Sequence, residues 1–527
     1  MAWCPKNTRS RSGVDRLLEN PDTMMTLFFD NITLARGEGS THYKKLIPFI
    51  CLSLLLLFSG CITPGIPNNK HGMDVLKERI LVPHVHTTEG PKSERPPSSA
   101  PVPNRPISLQ EAVAIALKNN HTLRQAFTDM HIARDDRDIA RSLFLPYLSA
   151  TYAYDRSDRQ RAMVDPENPL MPPFYFSENE FRRTEIKLMM TIWDFGRSLG
   201  TYNQANLGHD IADLVYKRTR QQVIFQVVNA YFNVLRAERA KVIAEESLTQ
   251  ARQHVKTAVS FERYGIVDMN DVLRARVQVA EVRQMLIKAK NRVELATSIL
   301  NSALGVNVNL PTRVIDDTRI IPFSLSLSDC LQLAIEHRPE FKVIQKAIRI
   351  EEEGIKASRA GHFPTIYVAG SYNWNDDDYQ KFADSSGTLH NDNLSGEIGI
   401  RIDLFTGGRT TAEVRKAKRK LTKSEEKAKQ VCDGISLQVK AALLAIQEAR
   451  DRIGLAKGAV AQAEENLRLI NNKYRENVVT STDVVDAETL LTRNKQNYYT
   501  ALYDYIVAIA QLESAIGKRI PTSEKAA

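Results

Sequence analysis

The chain has 527 residues, 43% of them hydrophobic and 25% charged, with 71 Lys and Arg against 62 Asp and Glu, for a net charge of +9. After residue 61 no apolar run approaches the roughly 18 to 20 residues that a membrane-spanning helix needs, so any later membrane contact must come from β-strands or lipid. The basic balance does not point to nucleic acid, because Lys and Arg are interspersed with Asp and Glu along helical stretches and no single basic run dominates.

The first feature in chain order is Lys44-Lys45, an apolar run from Leu46 to Phe58, and Ser59-Gly60-Cys61. These are the parts of a secretory signal, and the run is too short to span as a helix. Leu57 to Cys61 resembles a bacterial lipobox, which implies that the Cys61 thiol receives diacylglycerol and becomes the first residue, although Leu is more usual where Phe58 stands. Ile62 follows it, and the absence of Asp there favours the outer over the inner membrane. The stretch before Lys44 is long for a signal and leaves Met24 or Met25 as an alternative start. Residues 1–60 are therefore expected to be a signal peptide, and the Pro-rich 61–106 a lipidated tether. Of the five cysteines, Cys4 and Cys51 precede the expected cleavage, Cys330 is expected to be a small core residue, and no disulfide framework follows from it and Cys432.

From residue 107 the chain repeats itself. Ser326-Leu327 lies 218 residues after Ser108-Leu109, as Pro364 does after Pro146. From Ile192 the offset is 212, which relates Gly408-Arg409 to Gly196-Arg197, Asp483-Val484 to Asp271-Val272, and Gly517 to Gly305. Six residues thus separate the copies between Pro146 and Ile192, where a surface loop is expected. The copies are 107–305 and 326–518, with a linker at 306–325 and a tail at 519–527.

After Pro146 the pattern alternates. Leu148, Ala150, Tyr152 and Tyr154 share one face of a strand, and Ile366, Val368, Gly370 and Tyr372 do so in the second copy. A second strand in each copy sets Ile186, Leu188, Met190 and Ile192 against Glu185, Lys187 and Thr191, and Ile398, Ile400, Ile402 and Leu404 against Glu397, Arg401 and Asp403. Such strands line either a soluble core or a barrel with a wet lumen. Polar stretches, Asp155 to Thr184 and Asn375 to Ser395, link each pair. Tyr152, Tyr154, Trp193, Tyr372, Trp374 and Phe405 flank the strands where interfacial girdles would lie. Four strands cannot close a membrane barrel, whose smallest forms have about eight, so several protomers would have to share one.

Between the strands the spacing predicts helices from Arg197 to about Arg263 and from Arg409 to about Tyr474, each on the order of 100 Å long. Ile224, Val228, Tyr231 and Leu235, and likewise Tyr499, Leu502, Ile506 and Ile509, recur at coiled-coil steps. Gly265 to Asp271 and Asn477 to Asp483 turn each long helix into a returning one. Gly and Asn suit the left-handed residue at a helix end, and the Asp is expected to cap the next helix.

This order of elements, run through twice, resembles the TolC-type outer-membrane efflux family over about residues 107 to 518. The resemblance implies a mixed α and β membrane protein: a homotrimer whose protomers give four strands each to one twelve-stranded β-barrel, continuous with a long periplasmic α-helical coiled-coil barrel. It implies an exit duct for a tripartite efflux or secretion system in the outer membrane of a Gram-negative bacterium, partnered by a periplasmic adaptor and an inner-membrane pump. The lipidated N-terminus looks like the drug-efflux and heavy-metal branches.

By the same resemblance Gly265 and Asn477 mark tips that dock the adaptor, and Tyr474 and Asp271 match positions that join neighbouring helices when the aperture is closed. Val479 stands where some members carry an arginine in that lock. Asp483 and Asp486, at i and i+3 on one helix face, match a periplasmic constriction ring. In the first copy Arg274 replaces the second acid, so the ring belongs to the second tip. No H-E-x-x-H, G-x-S-x-G, G-x-G-x-x-G or G-x-x-x-x-G-K-[ST] motif occurs, and no enzyme, metal site or cofactor is expected. The alternative is a lipid-anchored periplasmic coiled-coil scaffold in which the strands form a small soluble sheet.

Overall fold

A computed structural model describes residues 102–519, save 104, 164–166, 169, 317 and 319–322. The expected signal peptide, Cys61 and nearly all of the tether lie outside the described residues. The first half runs α1 (Leu109–Asn119), α2 (His121–Arg141), β1 (Tyr147–Arg156), β2 (Ala162–Met163), β3 (Phe174–Tyr175), β4 (Glu180–Trp193), α3 (Arg197–Arg263) and α4 (Met269–Leu304). The second runs α5 (Leu327–His337), α6 (Pro339–Arg359), β5 (Thr365–Asn375), β6 (Phe382–Ala383), β7 (Leu389–His390), β8 (Asp392–Arg401), α7 (Arg409–Arg475) and α8 (Ser481–Ile516). Corresponding helices have equal lengths of 11, 21, 67 and 36 residues.

Local chemistry sets these boundaries. Ser108 and Ser326 begin α1 and α5 with capping boxes to Glu111 and Asp329, which satisfy otherwise orphaned helix N–H groups. Gly305 and Gly517, both left-handed, end α4 and α8. α3 and α7 hold no proline, so nothing interrupts 67 residues, or about 100 Å, of helix. None of the described helices is long and apolar enough to cross a membrane.

Two cores sit where the short helices pack on the long ones. In one, Ile107, Ala112, Ala116, Val223, Val227, Tyr231, Leu300 and Leu304 are buried together, and the Tyr231 hydroxyl donates to the Ile315 carbonyl at 2.6 Å. In the other, Cys330, Ala334, Val439, Ile446, Tyr505 and Leu512 do the same. Cys330 is thus the small core residue expected, and Cys432 is exposed. Arg338, only 3% exposed, is held by Glu340, Gln438 and the Ala515 carbonyl, which a buried cation requires. In the C-terminal half of α8, Ala501, Tyr503, Tyr505, Ala508, Leu512, Ala515 and Ile516 are buried, whereas Tyr499 and Ile506 of the expected stripe are only partly buried. The helix touches α7, α3 and α4, so one heptad stripe does not describe it.

The four long strands form one antiparallel sheet in the order β1-β4-β5-β8. β4 begins at Glu180, earlier than the apolar alternation indicates, and β8 ends at Arg401, so Ile402 and Leu404 lie beyond it. Glu180 and Asp392, which open β4 and β8, are 212 residues apart, so the six-residue difference falls between the strands of each pair. Each connection also carries a two-residue ribbon, β2 with β3 and β6 with β7.

Candidate functional site

The register of the sheet sorts its side chains into two faces, because directly paired residues point the same way. One row reads Ala150, Ile186, Tyr372, Leu394; another reads Leu148, Leu188, Gly370, Gly396. Met190, Val368 and Ile398 continue that face. The alternate rows read Ser149, Lys187, Ser371, Ser395 and Thr151, Glu185, Asn373, Asn393. In these central rows one side of the sheet is apolar and the other polar, although Tyr147, Met189 and Ala369 share the polar side and Thr184 and Asp392 the apolar one.

Among the described residues no long helix packs extensively against either face. On the apolar side Ile398 is 77% exposed and Ile400 70%. Among the described residues β1 and β8 each pair on one edge only, which leaves two rows of backbone donors and acceptors open. Aromatic residues mark both ends of the strands: Tyr152, Tyr154, Tyr372 and Trp374 toward the connections, and Trp193, Phe195 and Phe363 toward the helices, where Phe195 stacks on Phe363 at 5.1 Å.

At the far ends of the helices, α3 turns into α4 through 264–268 and α7 into α8 through 476–480. Gly265 and Asn477 take φ of +71° and +58°. The N–H groups that follow turn back onto the helix end, Ile266 N–H to the Phe261 carbonyl and Val478 N–H to that of Lys473, both at 2.9 Å, which satisfies the last carbonyls.

The expectation that Asp271 and Asp483 cap the returning helices is corrected. Asp268 and Thr480 occupy the caps, and both acids sit three residues later. Asp483 reaches back to accept from the Thr480 N–H and hydroxyl, each at 2.8 Å. Those bonds hold its carboxyl below the usual carboxylate range. Asp486 is exposed one turn on, with buried Ser481, Val484 and Ala487 facing the protein between them.

Tyr474 is 2% exposed and lies against Phe261 at 5.7 Å and His254 at 5.0 Å. Burial pushes its phenol up, with the Asp271 charge adding to the effect. Its hydroxyl makes no hydrogen bond of good geometry, although the Ser481 side chain is near enough to act on it.

Two polar groups at the tips escaped the sequence reading. The His254 imidazole shares a buried 2.7 Å hydrogen bond with the Ser481 hydroxyl; burial pushes its pKa down, with Asp271 opposing. Glu488 is 6% exposed, and burial raises it to about 7. The available signal was spacing, since His254 continues the buried series Ser247, Ala251, Ala258 and Glu488 continues Ser481, Val484, Leu491.

A two-faced, uncovered sheet with open edges, joined to paired helices of about 100 Å, is the build of a channel protein that enters a membrane through its strands. The family model for outer membrane efflux proteins matches residues 112–306 and 330–518, and the chain belongs to that family. It is accordingly an outer-membrane protein of the TolC type.

The outer membrane protein TolC of Vibrio cholerae is 25% identical over 417 residues, which cover 78% of this chain and 90% of that protein. TolC of Escherichia coli is 24% identical over 430 residues, covering 78% and 82%. Among solved structures, the Campylobacter jejuni CmeC outer membrane channel superposes with a TM-score of 0.67 at 18% identity, over 84% of this chain and 96% of that one.

Proposed function

We propose that the chain forms a homotrimer whose sheets close one twelve-stranded barrel across the outer membrane, with the helices extending into the periplasm as a passive exit duct. The carrying observation is the uncovered sheet, apolar on one face and polar on the other, with two unpaired edges. A soluble scaffold would have to cover Ile398 and Ile400, whereas lipid would cover them without a partner. Strands of 10, 14, 11 and 10 residues meet the roughly nine to eleven that a tilted spanning strand needs.

With no nucleotide site in its sequence, the duct draws its energy from an inner-membrane pump through a periplasmic adaptor that docks at the tips around Gly265 and Asn477. Cys61 anchors the N-terminus by lipid. Asp483 and Asp486 from three protomers form a ring of carboxylates at the periplasmic aperture, which Tyr474 and Asp271 help hold closed, and width and charge there set what passes.

Reconstitution into planar bilayers tests this reading. The protein should conduct, multivalent cations added on the tip side should block it, and Asp483→Asn with Asp486→Asn should weaken that block at least tenfold. Conduction with unchanged block would remove the ring. A purified monomer without barrel heat-modifiability would remove the duct.

A further inference from the structure

The two halves of one protomer meet along α3 and α6, and the contacts there are specific. The Asn203 amide donates to Glu353 at 3.0 Å, the Gln204 amide donates to the Ile350 carbonyl at 3.1 Å, and Lys346 pairs with Asp210 at 2.7 Å. A Cβ on Gly200 would stand 3.0 Å from that of Ala357. The sequence offsets of 218 and 212 carry each of these residues to a counterpart in the other half. Thr128, Ile132, Asp135 and Ile139 on α2 replace Lys346, Ile350, Glu353 and Ala357; Ala412, Arg415, Lys416 and Thr422 on α7 replace Gly200, Asn203, Gln204 and Asp210.

Within one chain these counterparts do not meet: α2 packs on α3, and α7 on α6. Both surfaces are left open. On α2, Ile132 is 52% and Ile139 67% exposed, and Asp129, Asp135 and Asp136 lie on the same side of the helix. On α7, Arg415, Lys416, Arg419, Lys420 and Lys423 line a shallow groove beside Ala412. They form a basic stripe drawn from the run Arg415-Lys416-Ala417-Lys418-Arg419-Lys420 and from Lys423, which corrects the expectation that no basic run stands out. None of those five cations, nor Asp135, has an ion-pair partner among the described residues.

The lower contact between the halves repeats the pattern. Arg236 of α3 pairs with Asp504 of α8 at 2.5 Å. Their counterparts are Glu448 of α7 and Arg292 of α4, the same pair with its charges exchanged.

We infer that the occupant of the open α7 face is α2 and α4 of a second copy of this chain, with Asp135 against Arg415 and Arg292 against Glu448. The inference rests on the proposed trimer and adds which residues join its protomers. The seam inside a protomer carries Asn203 opposite Glu353, whereas the seam between protomers sets opposite charges there, acids on α2 and cations on α7. Charge complementarity of this kind fixes partner and register more than it adds affinity.

Disulfide trapping in the full-length protein, with Cys432→Ser as background, tests the placement. Ile139→Cys with Ala412→Cys stands in for the close Ala357 and Gly200 contact and is within disulfide reach. Oxidation should give bands at two and three chain masses on a non-reducing gel. Arg134→Cys with Ala412→Cys, on the far side of α2, should stay at one chain mass. A native trimer in which the first pair fails to cross-link, or the second cross-links equally, overturns the seam and leaves the duct standing. A native monomer overturns both.

The charge matching has its own readout. Asp135→Arg should lower the temperature at which the trimer dissociates, and adding Arg415→Asp should restore it. An equal loss in single and double variants overturns the pairing.

Discussion

At the scale of residues, the tips balance capping against burial. Asn477 is left-handed without being glycine, and Asn tolerates that conformation where β-branched residues do not. Asn477→Gly should leave the melting temperature nearly unchanged, while Asn477→Val should cost about 1–2 kcal/mol in a thermal or denaturant melt.

Glu488 carries the pH dependence. Its folded pKa of about 7 lies above the ordinary glutamate value of 4.5, so its contribution is favourable at low pH and is lost as pH rises through that window, on the order of 3 kcal/mol. His254, pushed below 6.5, acts oppositely, losing stability as pH falls. Glu488→Gln should therefore remove the loss of tip stability between pH 5 and 8 seen by hydrogen exchange, and an unchanged slope would show that the carboxyl titrates normally. Neither group is legible as buried from residue type, since His and Glu read as surface residues, and only the spacing, His254 between Ala251 and Ala258 and Glu488 between Ser481 and Leu491, places them inward. Gly265 and Asn477 were legible, since the backbone conformation itself selects those residue types.

At the scale of elements, the long helices were readable almost to the residue. Arg197 and Arg409 follow left-handed glycines, and no proline intervenes. The strands were readable only where apolar and polar side chains alternate. Phe181 to Thr184 extend β4 with Arg182 and Arg183 among them, and such residues carry no apolar alternation. The ribbons of two residues each are too short for any period.

The two faces make a direct contrast. Ile398→Arg, on the apolar face, should cost about 2–4 kcal/mol if it lies at mid-bilayer and reduce the yield of folded trimer in the outer membrane. Ser395→Arg, on the polar face, should be tolerated and alter conductance instead. Equal tolerance of both would argue against a lipid-facing side.

At the scale of the whole molecule, a repeated order of elements yields a protomer whose two halves pack on each other and leave matching surfaces open at either flank. The repeat was legible from offsets alone. What the offsets could not convey is which exposed faces correspond to buried ones, because that needs the contacts between α3 and α6. The proposed duct places the two ends of the molecule on opposite sides of the outer membrane, and labelling of intact cells separates them. In a Cys432→Ser background, Asp158→Cys in the connection between β1 and β4 and Val478→Cys at the second tip would be treated with a membrane-impermeant maleimide. Asp158→Cys should be labelled on intact cells and Val478→Cys only after the outer membrane is opened. Labelling of both only after opening would contradict that placement, since the sheet would then lie wholly in the periplasm.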